Sequence, residues 1–155
     1  MPYNQTIKDE ARYIDDLGSS ANEDNLSGLY SGILSQWFPL SRGYILDHRE
    51  GKIMIRHGGF RNPLIILGLK RPSNWTPARK DMIWEDLQTY IEGQFEFTEY
   101  NTIYGIGGIG LHWMVFRMER SGGQPTLVLD WQDNVASDTS YTHFQTIADL
   151  VYNIQ

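Results

Sequence analysis

Ionisable side chains that could act on a phosphate ester are concentrated in one stretch near the middle of this chain. Asp47, His48 and Glu50 come first, Lys70 follows an apolar run, and Asp81 comes shortly after it. Carboxylates can hold a divalent metal ion or take up a proton, and a lysine can offset the negative charge of a phosphate. These residue types predict phosphodiester chemistry as one candidate activity.

The elements that must position these side chains can be predicted from local patterns. Two short strands are expected at residues 44–49 and 52–56, joined by a tight turn in which Gly51 supplies a positive φ. Residues 64–69 form an almost unbroken apolar run, typical of a strand buried on both faces. A turn at 57–63 connects the hairpin to that strand, and residues 78–95 show the periodicity of a helix.

The rest of the chain predicts further helices and strands around this centre. Helical spacing is found at residues 23–37 and again at 140–153, while residues 102–119 and 126–131 are predicted as strands. Residues 1–20 are interpreted as a flexible N-terminal arm. The predicted fold class is therefore mixed α/β (α+β). A single domain over residues 21–155 would have a central mixed sheet of four to five strands flanked by helices.

Composition limits the classes of protein to which the chain can belong. It has 155 residues, 41% of them hydrophobic, which suffices for one domain with a core. No apolar run reaches 18 residues, so no membrane span is expected, and the first residues lack the pattern of a signal peptide. The chain contains no cysteine, which excludes disulfides, cysteine-based zinc sites and thiol nucleophiles. A cytoplasmic or nuclear location is expected.

Charge is distributed unevenly along the sequence. The net charge of −6 argues against general binding to a phosphate backbone. Yet the window from Arg42 to Lys80 holds nine basic residues and only two acidic ones, Asp47 and Glu50. If nucleic acid is a partner, we expect it to contact this basic window. The many Trp and Tyr residues are also compatible with a homodimer.

The segment from Pro63 to Pro72, PLIILGLKRP, resembles a motif of the PD-(D/E)XK nuclease-like superfamily. The similarity is to small fungal domains in which an apolar strand ends in E-x-K-R-P, and it covers roughly residues 22–119. It implies a restriction-endonuclease-like αβββαβ core. In that family an Asp and a Glu hold Mg²⁺, and the Lys orients the attacking water.

Matching the motif residue by residue shows where the chain departs from the family. Lys70 matches the lysine, but Gly68 stands where the metal-binding Glu is expected. Asp47 is the candidate for the Asp, and Asp81 on the next helix could supply a replacement carboxylate. The E-x-K motif is therefore degenerate. The resemblance implies either a binding or interaction domain with lost or weak nuclease activity, or an active Mg²⁺-dependent nuclease on DNA or RNA with a rearranged carboxylate site.

Two other groups of residues allow different functions. His48, Glu50 and His57 contain the groups needed for metal-independent RNA cleavage, although we favour their interpretation as a charged surface hairpin that protects a sheet edge. Trp131 and nearby carboxylates suit a carbohydrate-binding or defence protein that uses surface aromatics. The pocket residues proposed for that function are His112, Trp113, Asp130, Trp131 and Asp133.

A glycine-rich segment at residues 105–110 could suggest a nucleotide-binding loop. A dinucleotide-binding loop must follow a strand and open a helix. Here the segment continues into LHWMVF, which is a strand pattern. We therefore interpret these glycines as allowing a close approach of neighbouring structure or a bend.

Overall fold

A mixed β-sheet of six strands forms the centre of the protein, with its strands in sequence order across the sheet. The computed structural model describes residues 2–58 and 62–154. The strands are β1 Tyr44–Arg49, β2 Lys52–His57, β3 Pro63–Lys70, β4 Thr102–Ile109, β5 His112–Glu119 and β6 Thr126–Gln132. The helices are α1 Gln5–Leu17, α2 Glu23–Trp37, α3 Pro77–Gln94 and α4 Asp138–Tyr152. Neighbouring strands are antiparallel except for β3 and β4, which α3 connects in parallel.

The helices cover the two faces of the sheet unequally. Ile65 and Leu67 of β3 belong to a core shared with α1, α2 and α4. Ile66, on the opposite face, packs in a second core with Ile83 and Leu87 of α3. Within the described residues α3 is the one α-helix on that face, and it lies over β3 and β4. Much of the face above the outer strands therefore has no helix over it.

The mixed α/β class predicted from the sequence is confirmed, but the strand count differs. Six strands are present rather than four to five, because residues 102–119 form two strands and not one. The chain reverses at Gly110, whose φ of +60° is readily adopted by glycine. Residues 59–61 of the predicted turn lie outside the described residues. No helix in the described part of the chain is long and apolar enough to cross a membrane.

The N-terminal segment differs from the predicted flexible arm. Residues 5–17 form α1, which begins after the side chain of Asn4 accepts a hydrogen bond from the backbone N–H of Ile7 at 3.0 Å. Ala11 and Ile14 are buried, and Tyr3 is 2% exposed. The hydroxyl of Tyr3 accepts a hydrogen bond from the indole of Trp37 at 3.1 Å. Helix α1 packs against α2, the helix that follows it in the chain.

Strand β4 is rich in glycine because large side chains lie directly against its backbone. A Cβ atom added to Gly105 would lie 2.4 Å from Cζ of Phe116. One added to Gly108 would lie 2.9 Å from the hydroxyl of Tyr30. That buried hydroxyl donates a hydrogen bond to the backbone oxygen of Gly110 at 3.0 Å. The glycines therefore lie in a strand, as the sequence context indicates, and allow close approach.

We expect Gly105→Ala to destabilise the protein by about 1–3 kcal/mol, since its new methyl group would overlap the Phe116 ring. Gly28 is a suitable control, because it is an exposed residue within α2 with open space around it. Gly28→Ala should stabilise the protein by about 0.5–1 kcal/mol by favouring the helix. Urea unfolding of both variants and the wild type measures the two effects. Equal stability of the Gly105 variant and the wild type would contradict the packing described for β4.

Candidate functional site

The position that aligns with the nuclease glutamate lies beneath a helix. Gly68 is buried on the face of β3 that meets α3, and a Cβ atom placed there would lie 3.1 Å from Cδ2 of Leu87. Its register partner on β2 is Lys52, whose Cδ would lie 3.6 Å from the same Cβ. The ammonium of Lys52 is 5.2 Å from the centroid of the Tyr90 ring. An aliphatic side chain and a lysine thus occupy the surroundings of Gly68.

Asp47 is held by two arginines from the same hairpin. The Nε atom of Arg49 donates a hydrogen bond to its carboxylate at 2.7 Å, and Nε of Arg56 lies 3.5 Å from the same oxygen. The hydrogen bond from Arg49 and the charges of both arginines lower the pKa of Asp47 below its usual value. Asp47 is therefore ionised at neutral pH, and its charge is already compensated.

The other predicted catalytic and metal-binding residues do not converge with Asp47. Lys70 lies half-buried at the end of β3, and Asp81 is exposed on α3. Asp81 instead lines a groove with residues of β5 and β6, towards the opposite edge of the sheet from Asp47 on β1. Across residues 2–58 and 62–154, no group of three or more histidine, aspartate or glutamate side chains could hold one metal ion.

The charge of Lys70 acts on a helix terminus. Burial opposes the ionisation of Glu23, but a hydrogen bond from Arg71 and the charges of Arg71 and Lys70 lower the pKa of Glu23 overall. The Nε atom of Arg71 lies 3.0 Å from that carboxylate. Lys70 and Arg71 thus complement the acidic first turn of α2 where β3 ends.

The candidate residues for metal-independent RNA cleavage are also separated. His48 is exposed on β1, and Glu50 lies in the adjacent turn with a φ of 53°. His57 pairs with Tyr44 at the other end of the same hairpin. Its Nδ1 is 3.0 Å from the hydroxyl of Tyr100, and its ring packs against Tyr44. His57 is therefore part of the packing at that end and does not face Glu50.

Cations of the basic window are distributed over several surfaces and have partners within the chain. Arg42 lies 4.0 Å above the ring of Tyr152, and the ammonium of Lys80 lies 3.8 Å above the ring of Trp75. Other arginines of the window are paired with carboxylates, namely Arg49, Arg56 and Arg71. Arg61 lies outside the described residues. The window therefore does not form one continuous basic groove in the described structure.

A concave surface, a cleft of about 700 Å³, lies where the parallel strands β3 and β4 end. Lys8 and Arg12 of α1 form one wall. Pro72, Gly110 and His112 contribute from the ends of the strands. Ligands of α/β sheets commonly bind outside the carboxyl ends of parallel strands, so the cleft is a candidate binding site on position alone.

A second concavity, called here the α3–β6 groove, lies on the face of the sheet that α3 covers. It has a volume of about 480 Å³. Its lining is apolar with a few charged groups, a composition typical of ligand-binding sites. The lining includes Trp84, Met114, Leu127 and Trp131, together with Lys80, Asp81 and Asp130.

Aromatic side chains connect the cleft to the α3–β6 groove. The rings of Trp75 and His112 are stacked, with centroids 3.7 Å apart and an angle of 7° between their planes. Trp131 meets Trp75 edge-on at 5.1 Å, and the ammonium of Lys80 lies above Trp75. We call Trp75, His112 and Trp131 the aromatic cluster. Because its members line both concavities, the two form one extended surface.

His112 is the titratable group at the centre of this surface. Its Nδ1 atom is buried and lies 3.9 Å from the exposed carboxylate of Asp133. Burial lowers the pKa of His112, and the nearby Asp133 charge only partly offsets that effect. The imidazole is therefore neutral at pH 7.

The sequence identified some residues of this surface and missed others. His112 and Asp133 line the cleft, while Asp130 and Trp131 line the α3–β6 groove. Trp113, also predicted for a pocket, is instead in the core, where it donates a hydrogen bond to Ser140 at 2.9 Å and stacks on Phe144. The missed residues are Trp75 and Trp84. Trp84 could have been found from the sequence, because it lies four residues after Lys80 on the predicted helix and therefore on the same helix face.

Comparison of the chain with protein-family models, with curated proteins and with solved structures finds no match. The likeness to the nuclease-like superfamily therefore rests on the motif in the sequence.

Asp47→Asn should destabilise the protein at pH 7, by less than about 1 kcal/mol because the ion pairs are near the surface. The pKa of Asp47 is lower in the folded state than its ordinary value of 3.8, so its contribution is present above that pH and is lost as the pH falls through the folded-state value. Urea unfolding at pH 7 and near pH 2.5 checks this. A difference that persists unchanged in acid would contradict the pairing.

His112 should make the protein less stable in mild acid. Its pKa is below 6.5 in the folded state, so the unfolded chain binds more protons as the pH falls below that value. We expect His112→Phe, which retains a ring beside Trp75, to show a smaller loss of stability between pH 7.5 and pH 5.5. Denaturant unfolding of both proteins at each pH measures the difference. An identical loss in both would rule out a lowered pKa at His112.

Proposed function

We propose that this chain is a nuclease-like domain that has no Mg²⁺-dependent phosphodiesterase site and acts as a binding domain. The observation that carries the proposal is the packing around Gly68. Leu87 covers the position where a carboxylate would be needed. Lys52 pairs with Gly68 on the neighbouring strand. A cation at this place would oppose a second, divalent cation instead of binding it.

The order of elements supports the nuclease-like part of the proposal. From α2 to β4 the chain follows the series αβββαβ, with β1, β2 and β3 forming an antiparallel meander. Helix α3 then returns the chain to β4, which pairs in parallel with β3. This is the arrangement that the motif resemblance implies.

The residues present do not fit the magnesium ion that the family would require. Asp47 is already bonded to Arg49 and approached by Arg56, so binding a metal would break those pairs. Asp81 lines the α3–β6 groove and faces a different surface. Mg²⁺ is usually bound through one or two carboxylates, and these two do not share a site.

The binding part of the proposal rests on the extended surface around the aromatic cluster. It combines a cleft and a groove with aromatic rings and a small number of charged side chains, as binding sites commonly do. Of the described cations of the basic window, Lys80 is the one that lines either concavity. Surface geometry therefore favours this region over the basic window as the ligand site.

A cleavage assay tests the catalytic half of the proposal. Single- and double-stranded DNA and RNA would be incubated with the protein in Mg²⁺, Mn²⁺ or EDTA, and we expect no cleavage in any condition. Metal-dependent cleavage that is lost in Lys70→Ala but kept in Arg117→Ala, a control cation outside the basic window, would overturn the proposal. Cleavage that survives EDTA would overturn it as well and would implicate His48 or Glu50.

Gly68→Glu provides a second test that does not depend on finding the right substrate. The new carboxylate would meet Leu87 and the side chain of Lys52, so we expect it to create no metal site. Mg²⁺ should therefore change the thermal midpoint of neither the wild type nor this variant. If Mg²⁺ raises the midpoint of Gly68→Glu alone, the position is accessible to metal and the described packing does not exclude it.

A further inference from the structure

We infer that the α3–β6 groove and the adjoining aromatic cluster bind an extended basic peptide segment of a partner protein. This inference rests on the proposed function, since it names the ligand class of the binding domain. It is not a property implied by the nuclease resemblance, which would predict an acidic ligand.

The charges around the groove select for a basic ligand. Asp81 and Asp130 are exposed on its lining, and Asp133 is fully exposed nearby. Among the described residues that line the groove itself Lys80 is the one cation, and its ammonium already lies on the ring of Trp75. Lys8 and Arg12 line the adjoining cleft, where Lys8 is paired with Asp138. The groove would therefore disfavour a polyanion. It would also disfavour a second copy of the chain, because both copies would carry the same net charge of −6.

Rings in this region are arranged to accept ammonium or guanidinium groups. Lys80 shows the geometry within the protein, with its ammonium 3.8 Å from the centroid of the Trp75 ring. Trp84 and Trp131 are half-buried and line the groove close to the exposed carboxylates. A lysine or arginine of the ligand could contact a tryptophan face and a carboxylate together, an attraction that strengthens when water is excluded.

The floor of the groove provides contacts for apolar side chains that alternate with the basic ones. Leu127 is 49% exposed, which is high for a leucine next to Met114 and Trp131. Burying this surface would favour association through the hydrophobic effect. A ligand with both apolar and basic residues matches the lining better than a purely basic one.

The extended conformation of the ligand follows from the strand that borders the groove. β6 is the last strand of the described sheet, and Asp130 is its single charged residue. The opposite edge strand, β1, carries Asp47, His48 and Arg49, and charged side chains discourage strand addition. An added strand would lie about 4.8 Å beyond β6, so its long basic side chains can reach Asp130 and Trp131.

Selection from a random dodecapeptide display library tests the inference, because such a library offers basic, acidic and apolar sequences to the groove in competition. We expect enriched peptides to alternate lysine or arginine with apolar residues. The affinity of a selected peptide would be measured by isothermal titration calorimetry. Asp81→Asn/Asp130→Asn should weaken it about tenfold or more. Trp131→Leu should weaken it too, while Asp149→Asn, an exposed carboxylate on α4, should leave it unchanged.

Several outcomes would overturn the inference. Enriched peptides with acidic residues or no charge bias would do so, as would equal affinity for the wild type and the double variant. The absence of any enriched peptide would also overturn the inference. If cellohexaose then binds, the groove is a carbohydrate site. If no basic peptide is bound and no nucleic acid is cleaved, the inference about the ligand is wrong but the proposed binding domain is not contradicted. Metal-dependent cleavage alongside peptide binding would overturn the proposed function alone.

Discussion

The glycines of β4, where the strand has no Cβ atom, are the constraint on which the arrangement of the other elements depends. Because Gly108 has no Cβ atom, the Tyr30 hydroxyl can approach the strand and bond to the backbone oxygen of Gly110. That bond ties α2 to the turn between β4 and β5, directly before His112. His112 then stacks on Trp75 at the start of the α3 region. The conformation of the aromatic cluster therefore depends on glycines deep in the sheet.

Local patterns predicted much of the fold, and the two parts that were missed have weak local signals. The apolar run at residues 64–69 and the turn at Gly51 correctly indicated the strand and hairpin, because burial on two faces and positive φ leave direct traces in the sequence. The reversal at Gly110 needs only two turn residues, so the apolar pattern on either side of it resembles one continuous strand. Helix α1 was missed although Ile7, Ala11 and Ile14 recur at helical spacing, because its many charged residues and the turn residues after it indicated a flexible arm.

The candidate site was less predictable than the fold. Asp47 is a candidate because of its chemical type alone. Whether it lies near Arg56 depends on the register of β1 and β2, which cannot be predicted from the residue pattern along one strand. The aromatic cluster joins residues from a loop, from β5 and from β6. Its members lie far apart in the sequence, so only the assembled sheet brings them together. Gly68 was the exception, since a missing carboxylate can be recognised without knowing any contact.

The contacts between the two ends of the described chain affect how the protein matures on the ribosome. Tyr3 packs edge-on against Tyr141 of α4 at 4.9 Å, and Lys8 forms a 3.1 Å ion pair with Asp138. The Tyr152 hydroxyl also donates a hydrogen bond to the backbone oxygen of Trp37. Since α4 is translated after the sheet, Tyr3, Lys8 and Trp37 lack these partners until nearly all of this sequence has been synthesised. The contacts between the two ends are therefore among the last that the growing chain can form.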